Sequence, residues 1–480
     1  MPPSSFFWYD LETFGRDPRR TRIAQFAGRR TDAGLEPVGE PLVLYARPAD
    51  DLLPAPEAVL LTGITPQHCL RHGVSEAELL AHIHEAMTEP GTCAAGFNSL
   101  RFDDEFLRFG FYRNFFDPYE REWRNGNSRW DLLDLARLTH ALRPEGIHWP
   151  LRKDGAPSFR LADLCAANGI DCGRAHDALV DVDSTIALAR LVRAVQPRLF
   201  DYYLGLRDKR AAAALLDVAG SDPVVHISGR FAATRRCAAA ILPLAVHPLI
   251  SNRMICFDLE SDPSELLAAD AEAIAERLYV PGADLPEGMQ RFALKDVHLN
   301  RVPALVAWRH LRNEDFERMQ IDAERVLAHA AALRASGTVA AAVRDAYAIA
   351  RPAAAAADAD QALYEGFPDE RDRARFPTIR SAPATELRRY EAQLKDPRYR
   401  ELLFRYRARN HPDSLDAGER GRWDAYRRLR LGGDADLSEY SFETYRREID
   451  RLRRDDPAPG PRQALLDALE DWGCRLEADL

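Results

Sequence analysis

The fold is decided by residues 6–13, which read Phe6-Phe7-Trp8-Tyr9-Asp10-Leu11-Glu12-Thr13. The apolar, aromatic run predicts a buried strand that ends in an acidic pair. Side chains two positions apart on a strand point to the same face of the sheet. Asp10 and Glu12 are therefore expected to reach one metal ion together.

Two further acidic motifs follow in the first two-fifths of the chain. Asp103 ends the segment Asn98-Ser99-Leu100-Arg101-Phe102-Asp103, and His176 and Asp181 stand five apart in His176-Asp177-Ala178-Leu179-Val180-Asp181. Four carboxylates and one imidazole are the groups that two-metal hydrolysis of a phosphodiester requires. The three motifs together therefore predict a hydrolytic metal centre.

This ordered set resembles the DEDDh exonucleases, in their histidine branch. Longer segments resemble bacterial exonuclease I, and the resemblance is dense over residues 6–203. These segments are residues 111–119, 127–134, 141–147, 157–161, 167–170 and 196–202. The resemblance implies a 3′→5′ exonuclease (exodeoxyribonuclease I) that degrades single-stranded DNA to 5′-mononucleotides in DNA repair and recombination.

The resemblance also implies a role for each motif residue. Asp10, Glu12 and Asp181 would hold the ion that activates water, and Asp10 would bridge to a second ion. Asp103 would anchor the site, and His176 would be the general base. The cofactor would be two Mg²⁺ ions, with Mn²⁺ as a substitute, because carboxylates are hard oxygen ligands. The motif spacing favours Asp103 over Asp104 and Asp181 over Asp177.

Binding residues are implied in the same way. Glu12, Thr13 and Phe14 would meet the terminal nucleotide of the substrate. Arg129 and Trp130 would contact the strand, since aromatic and basic side chains bind unpaired nucleic acid, and a core position for Trp130 is the alternative. The partner-binding residues would be Arg143, Tyr202 and Arg312, which would dock the acidic, Phe-terminated tail of single-stranded DNA-binding protein.

The composition bounds these expectations. The chain has 480 residues with 65 Lys and Arg against 75 Asp and Glu, a net charge of −10. That charge alone disfavours a nucleic-acid partner, because phosphate binding prefers a basic surface, but arginine clusters such as residues 400–409 provide local positive charge. Seven cysteines without paired ligand spacing argue against zinc and disulfides and favour a reducing cytoplasm. No membrane partner is expected, and the expected state is a monomer.

Strand and helix signals predict an α/β fold followed by two further domains. Strands are expected near residues 6–12, 23–28, 42–45 and 93–98, the first three as an antiparallel meander, with helices at 75–87 and 181–195. Short β-rich runs at 224–231, 237–246, 253–259 and 292–299 come with helical insertions, and residues 360–480 are helical throughout. The resemblance names these parts as a ribonuclease H-like exonuclease domain (1–200), an SH3-like domain (201–352) and an all-helical C-terminal domain (353–480).

A single motif is weak, and the chain contains its own control. Asp258-Leu259-Glu260 repeats the tripeptide of Asp10-Leu11-Glu12, but neither of the other motifs follows it. We interpret it as a solvated strand end. Two alternatives to the deoxyribonuclease stay open: a 3′→5′ exoribonuclease and a non-catalytic nucleic-acid scaffold.

Overall fold

A computed structural model describes residues 3–173, 177–220, 222–280, 284–349, 357–433, 436–456, 458 and 460–480. The chain divides into two compact units. The carboxylate unit comprises residues 3–127, 173–183 and 355–480, and the β-rich unit comprises residues 1–2, 128–172 and 184–354. The predicted boundary at Pro352 lies outside the described residues.

The strands, in chain order, are β1 (Ser5–Thr13), β2 (Ile23–Asp32), β3 (Leu42–Tyr45), β4 (Thr92–Gly96), β5 (Ser128–Asp131), β6 (Val224–Ile227), β7 (Ala238–Val246), β8 (Arg253–Asp258), β9 (Leu294–His298) and β10 (Ala304–Ala307). The helices are α1 (Pro56–Thr62), α2 (Pro66–His72), α3 (Glu76–Thr88), α4 (Asp103–Arg113), α5 (Leu132–Leu142), α6 (Leu161–Ala167), α7 (Ala178–Val195), α8 (Pro197–Gly205), α9 (Lys209–Leu215), α10 (Ser264–Ala268), α11 (Ala271–Tyr279), α12 (Asn313–Met319), α13 (Ala323–Ala335), α14 (Val339–Ala348), α15 (Glu370–Ser381), α16 (Pro397–Asn410), α17 (Ala417–Gly432), α18 (Phe442–Asp455) and α19 (Pro461–Ala478).

The sheet of the carboxylate unit has the strand order β3-β2-β1-β4. β1 is antiparallel to β2, with Asp10 opposite Ala27, and β2 is antiparallel to β3. β4 runs parallel to β1 on its other side. The predicted antiparallel meander is therefore confirmed, and the parallel strand makes the sheet mixed, which is common in α/β folds.

Alternation along β1 decides where its carboxylates lie. Phe7, Tyr9 and Leu11 are buried in one core cluster with apolar residues of α3 and α4. Because successive side chains of a strand face opposite ways, Asp10 and Glu12 lie on the other face. The predicted start of α3 is also confirmed: the Ser75 hydroxyl accepts a hydrogen bond from the Glu78 backbone N–H at 3.2 Å.

The C-terminal segment shares cores with the rest of the carboxylate unit. Phe109, Tyr112 and Phe115, in and just after α4, cluster with apolar residues of α15 and α16. Leu53 and Val59 cluster with Trp472 of α19 and its neighbours. All described elements after residue 357 are α- or 3-10 helices, as the sequence predicts.

The β-rich unit contains an antiparallel sheet of order β10-β6-β7-β8-β9. The four predicted β-rich runs are confirmed, and the short strand β10 was missed. The interpretation of Asp258-Leu259-Glu260 as a strand end exposed to solvent is wrong. Asp258 ends β8 but is 9% exposed, and the Glu260 carboxylate lies 3.3 Å from Arg235 and 3.1 Å from Arg325.

Among the described residues, no helix by itself has the length and apolar content to cross a membrane. By length and composition alone, α13 and α14 pass that test only as a pair, bent by 79°.

Candidate metal centre

Three of the predicted carboxylates meet at one point. Asp10 and Glu12 come from β1, and Asp181 comes from the first turn of α7. One oxygen from each lies within 4.8 Å of the others. A group of this size is able to enclose a single divalent ion with oxygen ligands only.

The electrostatics of this group favour a bound cation. Burial raises the pKa of Asp10 well above its usual value, and the charges of Asp103, Glu12 and Asp181 raise it further. Burial, followed by the charges of Asp181 and Asp177, raises the pKa of Glu12 to about 8. Ionised carboxylates this close together repel one another. A bound divalent cation would offset their negative charge and favour the ionised form.

Asp103 lies beside the group without being one of its three members. It opens α4 and is buried, and its Oδ1 accepts a hydrogen bond from the Leu11 backbone N–H at 3.1 Å. That N–H lies between the two acidic residues of β1 in the sequence. Asp103 therefore links α4 to the acidic end of the strand.

The neighbouring acids have different surroundings. The carboxylate of Asp104 is fully buried, accepts a hydrogen bond from Tyr9 Oη at 2.6 Å and pairs with Arg121 at 2.5 Å. The Asp104 side chain is thus held in the core of the unit by Tyr9 and Arg121. Asp177 is exposed and accepts a hydrogen bond from the Leu179 N–H at the start of α7.

The remaining residues predicted in this unit divide into three cases. His176 lies outside the described residues. Thr13 follows the acidic pair, and its hydroxyl donates to the Gly15 carbonyl at 2.6 Å. The Phe14 ring is buried in a small cluster with Leu52, Ile64 and Cys69 among others, so it offers no exposed face for a nucleotide.

Comparisons with known proteins match this architecture along the whole chain. A family model described as an exonuclease matches residues 7–189, the Exonuclease I SH3-like domain matches residues 207–349, and the Exonuclease I C-terminal domain matches residues 357–476. The chain belongs to the exonuclease I family. The predicted fold class is thereby confirmed: an α/β exonuclease domain, an SH3-like domain and a helical C-terminal domain.

Individual relatives are similar over nearly their full length. Exodeoxyribonuclease I of Escherichia coli is 46% identical over 425 residues, covering 88% of this chain and 89% of that protein. Exodeoxyribonuclease I of Haemophilus influenzae is 41% identical over 473 residues, covering 98% of each chain.

Solved structures of the family are equally similar. Exonuclease I from Methylocaldum szegediense superposes with a TM-score of 0.93 at 46% identity, covering 98% of this chain and 99% of that one. E. coli exonuclease I in complex with a dA16 oligonucleotide gives 0.94 at 43% identity, covering 98% and 100%. A structure of SSB/exonuclease I with the inhibitor CFAM gives 0.90 at 41% identity, covering 99% and 100%.

The substrate residues predicted in the β-rich unit are buried. Trp130 packs against Phe200 and Tyr203, with ring centroids 5.0 and 5.6 Å away, and is fully buried. Arg129 is 5% exposed, and its Nη2 donates to the Asn300 carbonyl at 2.7 Å. The alternative of a core position for Trp130 therefore fits the structure, and the stacking role does not.

Two of the predicted docking residues meet at a residue that the sequence analysis missed. The buried carboxylate of Asp315 accepts hydrogen bonds from Arg143 Nη1 at 2.6 Å and from the Arg312 backbone N–H at 3.0 Å. The sequence feature that could have revealed Asp315 is an acidic residue at the third position of α12, where its carboxylate caps the start of the helix. Tyr202 is half-buried and donates its hydroxyl to the Leu305 carbonyl at 2.8 Å.

Proposed function

We propose that this member of the exonuclease I family is a Mg²⁺-dependent 3′→5′ exodeoxyribonuclease that releases 5′-mononucleotides from single-stranded DNA. The observation that supports it most is the convergence of Asp10, Glu12 and Asp181 within 4.8 Å. These residues are brought together from β1 and α7 by the fold, and together with Asp103 their order in the sequence matches the three motifs of the DEDDh exonucleases.

The residues fit divalent ions of the hard, oxygen-preferring kind, and we propose two of them. The donors are carboxylates alone, and burial followed by the charges of neighbouring carboxylates raises the pKa values of Asp10 and Glu12. When bound, the ions would lower the pKa of a coordinated water and offset charge on the leaving oxygen. Asp10, Glu12 and Asp181 would hold them, with Asp103 at the side of α4 as an outer support.

The remaining chemistry belongs to residues of the chain itself. The β ladder with β2 fixes the spacing of Asp10 and Glu12. Thr13, directly after them, would meet the terminal nucleotide. His176 would accept the proton of the attacking water, a task that suits an imidazole with a pKa near neutrality.

Substitution His176→Ala is expected to lower kcat by about 10²–10⁴-fold, the usual contribution of a positioned general base. Metal and DNA binding should persist, because the carboxylates remain. The measurement is steady-state cleavage of a labelled oligonucleotide at pH 7, beside binding of the same strand. His82→Ala, an exposed position on α3, is the control, and near-normal turnover by the His176 variant would remove the assignment.

The direct test of the proposed activity compares three substrates. A 5′-labelled single strand should be shortened stepwise only when Mg²⁺ is present, whereas the matching duplex should persist. An RNA strand of the same sequence separates the deoxyribonuclease from an exoribonuclease. Binding of the DNA strand without any Mg²⁺-dependent shortening would favour the scaffold alternative and contradict the proposal.

We extend the proposal to a partner, the acidic C-terminal tail of single-stranded DNA-binding protein. Arg143 contacts Asp315 through its guanidinium and Arg312 contacts it through its backbone N–H. A guanidinium is suited to a terminal carboxylate. Tyr202 would complete the surface. The SSB/exonuclease I structure noted above supports a partner of this kind.

Arg143→Gln is expected to weaken binding of a tail peptide by at least about tenfold, as loss of a charge-assisted contact implies. Glutamine is preferable to a charge reversal, because a carboxylate here would face buried Asp315. Fluorescence anisotropy of a labelled peptide measures the effect. Arg152→Gln, whose side chain is 52% exposed and pairs only locally with Asp154, is the control, and equal affinity for both variants would refute the docking site.

Several finer properties belong to the same proposal. A cytoplasmic location is supported by seven free cysteines. Domain boundaries near residues 200 and 352 are supported by the ranges that the family models match. A monomeric state and a role in DNA repair complete it.

A further inference from the structure

A carboxylate from the C-terminal segment lies against the loop that follows the catalytic strand. Glu439, between α17 and α18, accepts hydrogen bonds through Oε1 from the backbone N–H of Arg16, at 2.7 Å, and from that of Asp17. Both residues and Glu439 belong to the carboxylate unit. The contact joins positions more than 400 residues apart in the sequence.

The fit at this contact is close. A Cβ placed on Gly15 would overlap the Glu439 carboxylate. Gly15 has no positive φ, so a larger residue here would displace the Glu439 side chain without straining the backbone. Glu439 therefore occupies the space beside the loop as well as binding its amides.

Other side chains also contact the loop that follows β1, through hydrogen bonds and an ion pair. Arg430 Nη2 donates to the Arg20 carbonyl at 2.5 Å, and Asp436 pairs with the Arg20 guanidinium. Arg113 Nη1 donates to the Pro18 carbonyl at 2.9 Å. Among these, Glu439 is the tie closest in sequence to the acidic pair.

The contact made by Glu439 lies just beyond the end of the β ladder. Asp10 and Glu12 sit in regular register with β2, but the register shifts between Glu12 and Thr13. Thr13 still pairs with Ile23 after this shift, and the Phe14 N–H donates to the Arg22 carbonyl at 3.0 Å. The ladder ends there, and the Thr13 hydroxyl donates to the Gly15 carbonyl at 2.6 Å. A displacement of Gly15 would therefore act on the Thr13 side chain through this hydroxyl, while the ladder holds the Thr13 backbone and the two carboxylates in place.

We infer that Glu439 is a positioning residue, which fixes the strand-end segment Thr13–Gly15 against the terminal nucleotide through the backbone of Arg16 and Asp17. This inference rests on the proposed function for its catalytic consequence. Its structural part, the immobilisation of the loop, is independent of any activity. The C-terminal segment thus contributes to the active site without touching the substrate.

The test uses three variants of the full chain. Glu439→Ala removes both acceptor contacts, whereas Glu439→Gln keeps one acceptor oxygen and should restore them. Asp369→Ala is the matched control, because Asp369 also accepts a backbone N–H, that of Asp372 at 2.7 Å, but at the start of α15. Each variant is measured by amide hydrogen exchange of residues 14–22, by kcat and KM on a single-stranded oligonucleotide, and by Mn²⁺ affinity.

Glu439→Ala should speed amide exchange in residues 14–22 at least tenfold and lower kcat by about 10- to 100-fold, as a misplacement near 1 Å is able to do. Mn²⁺ affinity should change less than threefold. Glu439→Gln and Asp369→Ala should stay within about twofold of the parent in exchange and kcat. Unchanged exchange in Glu439→Ala would overturn the inference, even if the parent protein proved inactive. Faster exchange with an unchanged kcat in an active parent would overturn its catalytic part and leave the proposed function intact.

Discussion

Asp10→Asn is expected to reduce exonuclease activity by about 10³-fold or more and to make the metal-free protein more stable. The loss follows because a bound metal supplies several kcal/mol of transition-state stabilisation, and about 1.4 kcal/mol corresponds to a factor of ten. The gain in stability follows because Asp10 lies among like charges that raise its pKa. Replacing an active-site residue that destabilises the folded state commonly stabilises a protein.

The sign of the pH dependence follows from proton binding. In the folded protein Glu12 has a pKa near 8, whereas an unfolded glutamate titrates near 4.3. Between about pH 4 and pH 8 the folded state therefore binds more protons than the unfolded state, and stability falls as pH rises. The pKa of Asp10 is raised in the same direction, so Asp10→Asn removes a contribution of this sign and its stability advantage in EDTA should grow as the pH rises.

Thermal melting of both proteins in EDTA and in Mg²⁺, beside the cleavage assay, measures these effects. The parent should be stabilised by Mg²⁺ and the variant should not. Asp258→Asn is the matched control, because Asp258 begins the same Asp-Leu-Glu tripeptide and is also buried with a raised pKa. Equal activity losses in the two variants would contradict a special role for Asp10.

Asp360→Asn is expected to destabilise the carboxylate unit by about 3–5 kcal/mol, the usual cost of removing one partner of a buried ion pair. Asp360 is fully buried. Its carboxylate accepts hydrogen bonds from Arg409 at 2.9 and 2.5 Å and from the Tyr426 hydroxyl at 3.1 Å. Arg405 lies 3.2 Å away. Replacing Asp360 by a neutral residue leaves the buried guanidinium groups of Arg409 and Arg405 without enough compensating negative charge.

The pKa of Asp360 gives the sign of its own contribution. Despite burial, the charges of Arg409 and Arg405 hold this pKa well below the usual value. The stabilisation is therefore complete above the unfolded pKa near 3.9 and is lost as the pH falls below it. At pH 7 the full effect of the substitution should be visible.

Urea unfolding at pH 7 measures this effect. Glu443→Gln is the control, because Glu443 and its partner Arg447 are 79% and 68% exposed and an exposed pair contributes little. If both variants unfolded at the same urea concentration as the parent, the buried network would not have the stabilising role assigned to it.

Sequence reasoning reached the parts of the molecule that depend on local patterns. The alternation of residues 6–12 places Asp10 and Glu12 on one face of β1, and the structure has them there. The cap at Ser75 and the four β-rich runs follow from short-range signals of the same kind. The second strand-end tripeptide at Asp258 was misjudged, because its Glu260 carboxylate pairs with Arg235 and Arg325, which lie elsewhere in the chain.

Contacts between distant positions were beyond those signals. Nothing near Glu439 in the sequence indicates that its carboxylate binds the loop at residues 16–17, and nothing near Asp360 indicates that it meets Arg409. Trp130 shows the same limit. Its neighbours suit either a DNA surface or a core, and only the packing of Phe200 and Tyr203 decides between them.

The most direct measurement is anomalous diffraction from crystals soaked in Mn²⁺. Two peaks about 3.5–4 Å apart are expected, as in two-metal sites, with at least one within about 2.0–2.2 Å of oxygens from Asp10, Glu12 and Asp181. Peaks only elsewhere on the chain, or none beside these carboxylates under conditions that support cleavage, would contradict a metal-dependent exonuclease centred on them.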